Sequence, residues 1–189
     1  MKYLRKLIRT LKYKSKFLGK NKNTKLNYIV NSSGNSKLTE LMNFYGSDKG
    51  GKNDHHNYSE YYSEIFFNNR KKIKNFLEVG LGTNNVNLAS NMGKHGTPLA
   101  SLRAWRDYFE NANIYGADID KEILKNEERI KTFFVDQTNP ETIKLLFKNI
   151  GVDTFDIILE DGLHEYNANI CFFENSIKYL SNSGIYIIE

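Results

Sequence analysis

The 189-residue chain has one cysteine, Cys171, and two prolines. A lone cysteine excludes a disulfide framework and fits a reducing compartment such as the cytoplasm. Cys171 falls on an apolar helical pattern, so a buried structural thiol is expected there. No apolar stretch reaches the ~18 residues that a membrane-spanning helix needs. The first residues also lack the uninterrupted apolar core of a secretory signal. Acidic side chains are missing from residues 1–25, which hold ten Lys/Arg. That leaves 17 of the 27 basic residues against all 22 acidic ones, a net of −5 for the rest of a chain whose total is +5. Basicity confined to one arm is not the composition of a general nucleic-acid binder, and no nucleic-acid partner is expected.

Within that arm Leu4, Leu7, Ile8 and Leu11 follow helical spacing, so residues 3–18 read as a basic amphipathic helix. Two readings stay open. Residues 1–25 lie on an anionic membrane surface, which would make a cytoplasmic protein peripheral at the inner membrane face, or they form a solvated helix or arm. Residues 19–36, rich in Asn, Lys, Ser and Gly, read as a linker, so residues 1–36 form one segment. Residues 37–74 form a helical region: "LTELMNFYG" runs to a glycine stop, "SDKG" opens a polar loop, and an aromatic-rich helix covers about 58–68. The neighbouring His55 and His56 point in different directions on a polar loop and read as solvated.

From residue 75 the pattern is regular. "NFLEVGL" (75–81), "NIYGADI" (113–119), "IKTFFVD" (130–136), "FDIILED" (155–161) and "GIYIIE" (184–189) are short apolar runs that read as strands buried on both faces. Helical patterns lie between most of them. "TPLASLRAWRDYFE" suggests Thr97 as N-cap with Pro98 at the first helical position, and "NPETIKLLFKNIG" repeats this with Asn139, Pro140 and a Gly151 stop. In "HEYNANICFFENSIKYL" an apolar stripe joins Tyr166, Ile170, Phe173, Ile177 and Leu180, while "DKEILKNEER" has room only for a short helix. Such alternation implies an α/β fold with a parallel sheet and helices on both faces.

In such a sheet ligands bind beyond the carboxyl ends of the strands. Those ends are Glu78–Thr83, Asp118–Asp120, Asp136–Gln137, Glu160–His164 and Glu189, and every one carries an acid. Gly80 and Gly82 permit a tight turn against a ligand, but Asn85 breaks the full G-x-G-x-x-G spacing. The stretch from Gly82 to Thr97 is long for a phosphate-gripping turn, so a ligand without a pyrophosphate fits better. Asp118 is placed to accept hydrogen bonds from ribose hydroxyls, and Asp136 with Gln137 to meet an adenine amino group.

E-x-G-x-G after the first strand, an acid after the second and D-Q after the third resemble the class I S-adenosylmethionine-dependent methyltransferases. "FYGSDKG", "LEVGLG", "SLRAWRDYF", "IYGADI", "VDQTNPE", "DIILEDGLHEYN" and "SGIYIIE", in that order over residues 40–189, are similar to one branch, the metal-dependent sugar O-methyltransferases of macrolide biosynthesis, of the mycinamicin and tylosin type. The resemblance implies a Rossmann-like methyltransferase domain over residues 75–189. It implies S-adenosylmethionine as cofactor, contacted by Glu78, Gly80, Gly82, Asp118, Asp136, Gln137 and Lys49. It also implies Mg²⁺ or a similar divalent cation on Asp161 and Glu189, His164 as general base, and a sugar or glycan hydroxyl as acceptor. A hard cation on carboxylates stabilises a developing alkoxide, and a histidine takes the proton. The branch has D-D-G-S-H where this chain has Glu160-Asp161-Gly162-Leu163-His164, which leaves the role of Glu160 open.

The resemblance further implies seven strands in the order 3-2-1-4-5 for the five in hand, with "GIYIIE" as an apolar edge. The branch has a second acid directly after the position of Glu189. On that reading the chain is a fragment with little turnover of its own. A homo-oligomer stays open. Two alternatives remain: a nicotinamide-dependent oxidoreductase on a related sheet, and a non-catalytic domain that binds cofactor or a partner.

Overall fold

The structure is a computed structural model that describes residues 36–52 and 56–189. The basic helix expected over 3–18, nearly all of the linker after it, and His55 lie outside the described residues. Five strands, β1 (Asn75–Val79), β2 (Asn113–Asp118), β3 (Ile130–Phe134), β4 (Phe155–Glu160) and β5 (Leu180–Ile188), form one sheet in the order β3-β2-β1-β4-β5. All neighbouring pairs are parallel, with Val79 opposite both Ala117 and Glu160, and Glu160 opposite Ile188. This is the strand order expected from the resemblance, and β5 forms one edge.

The helices are α1 (Lys37–Tyr45), α2 (Tyr58–Phe66), α3 (Ala100–Tyr108), α4 (Pro140–Ile150) and α5 (Tyr166–Ser176). Alternation along the strands divides the core between the two sheet faces. Phe76, Ile114, Ile157, Leu159 and Ile187 pack with Leu38, Met42, Tyr62, Phe66 and Trp105 from α1, α2 and α3. Leu77, Tyr115, Phe155, Ile158 and Tyr186 pack with Ile143, Leu146, Phe147 and Phe172 from α4 and α5. Residues 37–66 therefore share a core with the sheet. The aromatic centre is dense: the Trp105 ring lies 5.0 Å from Phe76, 5.6 Å from Phe109 and 5.6 Å from Tyr62.

Local sequence sets both ends of α1 and of α4. Ser36 Oγ accepts from the Thr39 amide at 3.1 Å and Gly46 closes α1 in a left-handed conformation. Asn139 caps α4, Pro140 opens it and Gly151 stops it, as the pattern predicts. Helix α3 departs from expectation. It starts at Ala100, with Leu99 left-handed at φ 63° and no side-chain cap, so Thr97 and Pro98 precede it. The Leu99 amide donates to the Leu81 carbonyl at 3.0 Å, so the turn after β1, not a capping hydroxyl, sets where this helix begins.

Two other expectations, at Tyr166 and at β3, are corrected by packing. Tyr166 is 78% exposed, and the buried face of α5 is Ala168, Phe172, Phe173 and Ser176. Strand β3 is an edge with only Ile130 buried, so it is not covered on both faces. "DKEILKNEER" contributes one 3₁₀ turn, Lys121–Ile123. Cys171 is half-buried against the second core, and burial raises its thiol above the ordinary range. No described helix is long and apolar enough to cross a membrane.

Arg103 on α3 grips Glu127 with its Nε 3.1 Å from both carboxylate oxygens and Nη2 2.8 Å from Oε1. These bonds hold the Glu127 carboxyl below its ordinary value. A carboxyl depressed by folding contributes stability that is present above its unfolded pKa and lost as pH falls through the folded one. Glu127→Gln should therefore lower stability at neutral pH and flatten the acid limb of a stability profile measured by urea unfolding; an unchanged acid limb would contradict this.

Candidate active site

The carboxyl ends of β1, β2, β3 and β4 open into one cleft of about 820 Å³. Its lining includes Lys49, Gly80, Gly82, Asp118, Asp136, Gln137, Asp161 and His164, eight of the ten site residues singled out from sequence. The remaining two, Glu78 and Glu189, lie just behind that surface and are buried.

The turn after β1 is built around close contact. Gly80 has φ 90°, and a Cβ there would stand 2.1 Å from the Asp161 carbonyl oxygen and 2.7 Å from Gly162 Cα. Only a hydrogen fits between the ends of β1 and β4. The Gly80 amide donates to the Ala117 carbonyl at 2.9 Å, and the Asp161 amide to the Val79 carbonyl at 2.8 Å. The long stretch that follows Gly82 is ordered by its own bonds. Met92 N donates to the Thr83 carbonyl at 2.9 Å, and Asn84 Nδ2 to the carbonyls of Gly93 and Gly96 at 2.7 and 2.9 Å. Ser90 Oγ reaches the Leu163 carbonyl at 3.0 Å and ties this wall of the cleft to the one after β4.

Asp118 accepts from the Leu81 amide at 2.6 Å and the Asp120 amide at 2.8 Å, so it first of all pins the β1 turn to β2. Burial lifts its carboxyl above the ordinary range, and those two amides hold it down. Asp136 Oδ1 accepts from the Thr138 amide and hydroxyl at 2.9 and 2.6 Å. Gln137 is used largely within the protein. Its Nε2 donates to Glu160 Oε1 at 3.0 Å and its Oε1 accepts from the Leu163 amide at 2.8 Å. It braces the loop that carries Asp161 and His164. Glu160 is buried with Gln137 as its partner, which accounts for an acid at that strand end.

The second half of the site is a cage of acids from three strands. Glu78 from β1, Asp161 after β4 and Glu189 after β5 converge on the Lys49 ammonium, with which Asp161 pairs directly. Glu78 Oε1 and Glu189 Oε2 lie 3.6 and 3.8 Å from it. Lys49 reaches inward from a 3₁₀ turn, Asp48–Gly50, in which Ser47 Oγ accepts the Lys49 amide at 3.3 Å. Burial disfavours its charge, but the fields of Asp161, Glu189 and Glu78 outweigh that and hold it protonated. Burial raises the Glu78 carboxyl to about 7 against the pull of Lys49. Burial and Asp161 raise that of Glu189 well above its ordinary value. Lys49, assigned from sequence to the cofactor, thus makes its contacts with the two acids assigned to a metal, and Glu78, assigned likewise, lies against Lys49.

Two residues that nothing in the sequence marked complete the cage. Ser101 Oγ donates to Glu78 Oε2 at 2.8 Å, and the Tyr62 hydroxyl donates to Glu189 Oε1. At the mouth His164 holds φ 59°, with Nε2 3.4 Å from Asp161 Oδ1 and Nδ1 3.4 Å from the Glu189 carbonyl oxygen. His56 is exposed and stacks on Tyr58 with centroids 4.8 Å apart, in keeping with a solvated histidine.

Among the described residues no three His, Cys, Asp or Glu are arranged ready to hold a metal ion. The donor set still suits a hard cation. Glu78 Oε1 and Glu189 Oε2 are buried and accept no hydrogen bond, and a positive charge already stands among them.

A parallel sheet in this order with an acid at each strand end is the Rossmann-like domain of class I methyltransferases. No family model matches the chain. Among curated proteins it is 30% identical over 152 residues to 8-demethyl-8-alpha-L-rhamnosyl tetracenomycin-C 2'-O-methyltransferase of Streptomyces olivaceus, covering 80% of this chain and 37% of that one. It is 30% identical over 154 residues to mycinamicin VI 2''-O-methyltransferase of Micromonospora griseorubida, covering 80% and 35%. A solved structure of MycE methyltransferase from the mycinamycin biosynthetic pathway, in complex with Mg, SAH and mycinamycin VI, matches with a TM-score of 0.67 and 28% identity, over 82% of this chain and 39% of that one. The chain is thus similar in sequence and in fold to sugar O-methyltransferases over the part of them that it spans. It spans about 37% of the length of the first curated relatives it matches.

Proposed function

We propose that this chain carries the S-adenosylmethionine and divalent-cation centre of an O-methyltransferase that acts on a sugar hydroxyl. The observation that carries the reading is the convergence of Glu78, Asp161 and Glu189 from three strands, just behind a cleft lined by a glycine turn and a histidine. Gly80 and Gly82 shape the cofactor wall, with Asp118 and Asp136 as acceptors along it. Asp161 and Glu189 would hold the cation. S-adenosylmethionine supplies a methyl group on a positive sulfonium, and a divalent cation supplies a Lewis acid for a hydroxyl oxygen.

His164 is the base. The Glu189 carbonyl oxygen lies 3.4 Å from Nδ1 and Asp161 Oδ1 lies 3.4 Å from Nε2, so each ring nitrogen faces an acceptor and the imidazolium formed when the ring takes up a proton is met on both sides. Asp161 would thus both help to hold the cation and steady the base. Gln137 and Ser90 keep the loop carrying both residues in register with the cofactor wall. Positioning of acceptor, base and methyl group in one cleft supplies much of the acceleration.

Titration calorimetry tests the cofactor assignment. The chain should bind S-adenosylmethionine and its demethylated product saturably and show no heat with NAD. Binding of NAD in preference to both would overturn the reading.

A further inference from the structure

Lys49 is the one buried lysine among the described residues, and the proposed chemistry has no task for it. A buried ammonium is unfavourable unless carboxylates surround it. Here three do, and they include both residues proposed to hold the divalent cation. The ammonium and a divalent ion compete for the same oxygens: Asp161 Oδ2 pairs directly with Nζ, and Glu189 Oε2 is 3.8 Å away. Like charges in one water-poor cage repel strongly, so the two cations exclude each other. Lys49 also lines the cleft, which gives its long side chain somewhere to go.

We propose that Lys49 is a tethered counter-ion. It closes the acid cage while no metal is bound, and a divalent cation must displace it, so it sets the cation affinity of the site. The proposal rests on the assignment of Asp161 and Glu189 as cation ligands. It makes Lys49 a positioning residue that keeps the three acids in place before the metal arrives.

Mn²⁺ binding followed by electron paramagnetic resonance tests this on the full chain, without any assay of turnover. Lys49→Met keeps the bulk of the side chain and removes the charge, and should bind Mn²⁺ at least tenfold more tightly than the unaltered chain. Its thermal midpoint should fall in chelator and recover on addition of Mn²⁺. Equal or weaker Mn²⁺ binding by Lys49→Met, with the unaltered chain binding the ion, would overturn the proposal and leave the metal assignment standing. No Mn²⁺ binding by either form would overturn both. A second measurement needs no variant. Acetic anhydride footprinting of the unaltered chain should find Lys49 protected relative to exposed lysines, and the protection should disappear when Mn²⁺ is added. Persistent protection at saturating Mn²⁺ would also overturn it.

Discussion

Replacing His164 by asparagine should lower the rate of methyl transfer to a sugar acceptor by about 10²–10⁴-fold, the usual contribution of a positioned base. S-adenosylmethionine affinity should be unchanged. Asparagine is the informative substitution because His164 sits at φ 59°, a conformation that asparagine tolerates better than alanine. The loss then reports on the base and not on a distorted loop. It should fall on kcat, since the imidazole acts only once the acceptor is in place. A second signature follows from the neighbours. His164 lies 3.4 Å from Asp161, so removing the ring should alter Mn²⁺ affinity far less than Asp161→Asn does. A variant with unchanged kcat would remove His164 from the mechanism.

Gly80→Ala should be the most disruptive single change in the cofactor wall. Its added Cβ would meet the Asp161 carbonyl oxygen at 2.1 Å and the Asp161 carbonyl carbon at 2.6 Å, and both are backbone atoms of the adjoining strand end. No rotamer change relieves such a contact; β1 and β4 must part. The left-handed conformation adds about 1–2 kcal/mol, and forced overpacking about 1–3 kcal/mol. Chemical denaturation should show a loss of roughly 2–5 kcal/mol on those two contributions together. Because the same movement displaces Asp161, S-adenosylmethionine and Mn²⁺ binding should both fail. Gly93→Ala separates strain from clash. Gly93 has φ 68°, but nothing lies within 4 Å of a Cβ built there, so only the conformational cost should appear and binding should survive. Equal effects at the two glycines would show that the close approach at Gly80 has no special role.

Much of this architecture is legible in the order of residues. Apolar runs of strand length, separated by capped helices, specify a parallel sheet because each run must be covered on two faces. The acids Asp118, Asp136, Asp161 and Glu189 stand at strand ends for the same reason: a parallel sheet collects equivalent ends on one side. The D-G-x-H stretch adds a histidine three residues after Asp161. What was read less well depended on partners remote in sequence. Tyr166 continues an apolar stripe, yet it turns to solvent at the first turn of α5. Thr97 and Pro98 have the chemistry of a helix start. The bond from Leu99 to Leu81 nevertheless delays the helix to Ala100.

"IILEDGLHEYN" shows how the two sources divide. The sequence alone determined that a buried strand ends there in carboxylates and a histidine, because hydrophobic alternation and a glycine turn are local properties. Only the tertiary structure decided what each acid meets. Glu160 turns inward to Gln137, while Asp161 faces Lys49 from 112 positions earlier. Glu189 is held by Tyr62, 127 positions away. The physical reason is that the free energy of a buried charge depends on which opposite charges and donors lie within a few ångströms. That neighbourhood exists only once α1, α2 and the five strands have packed together.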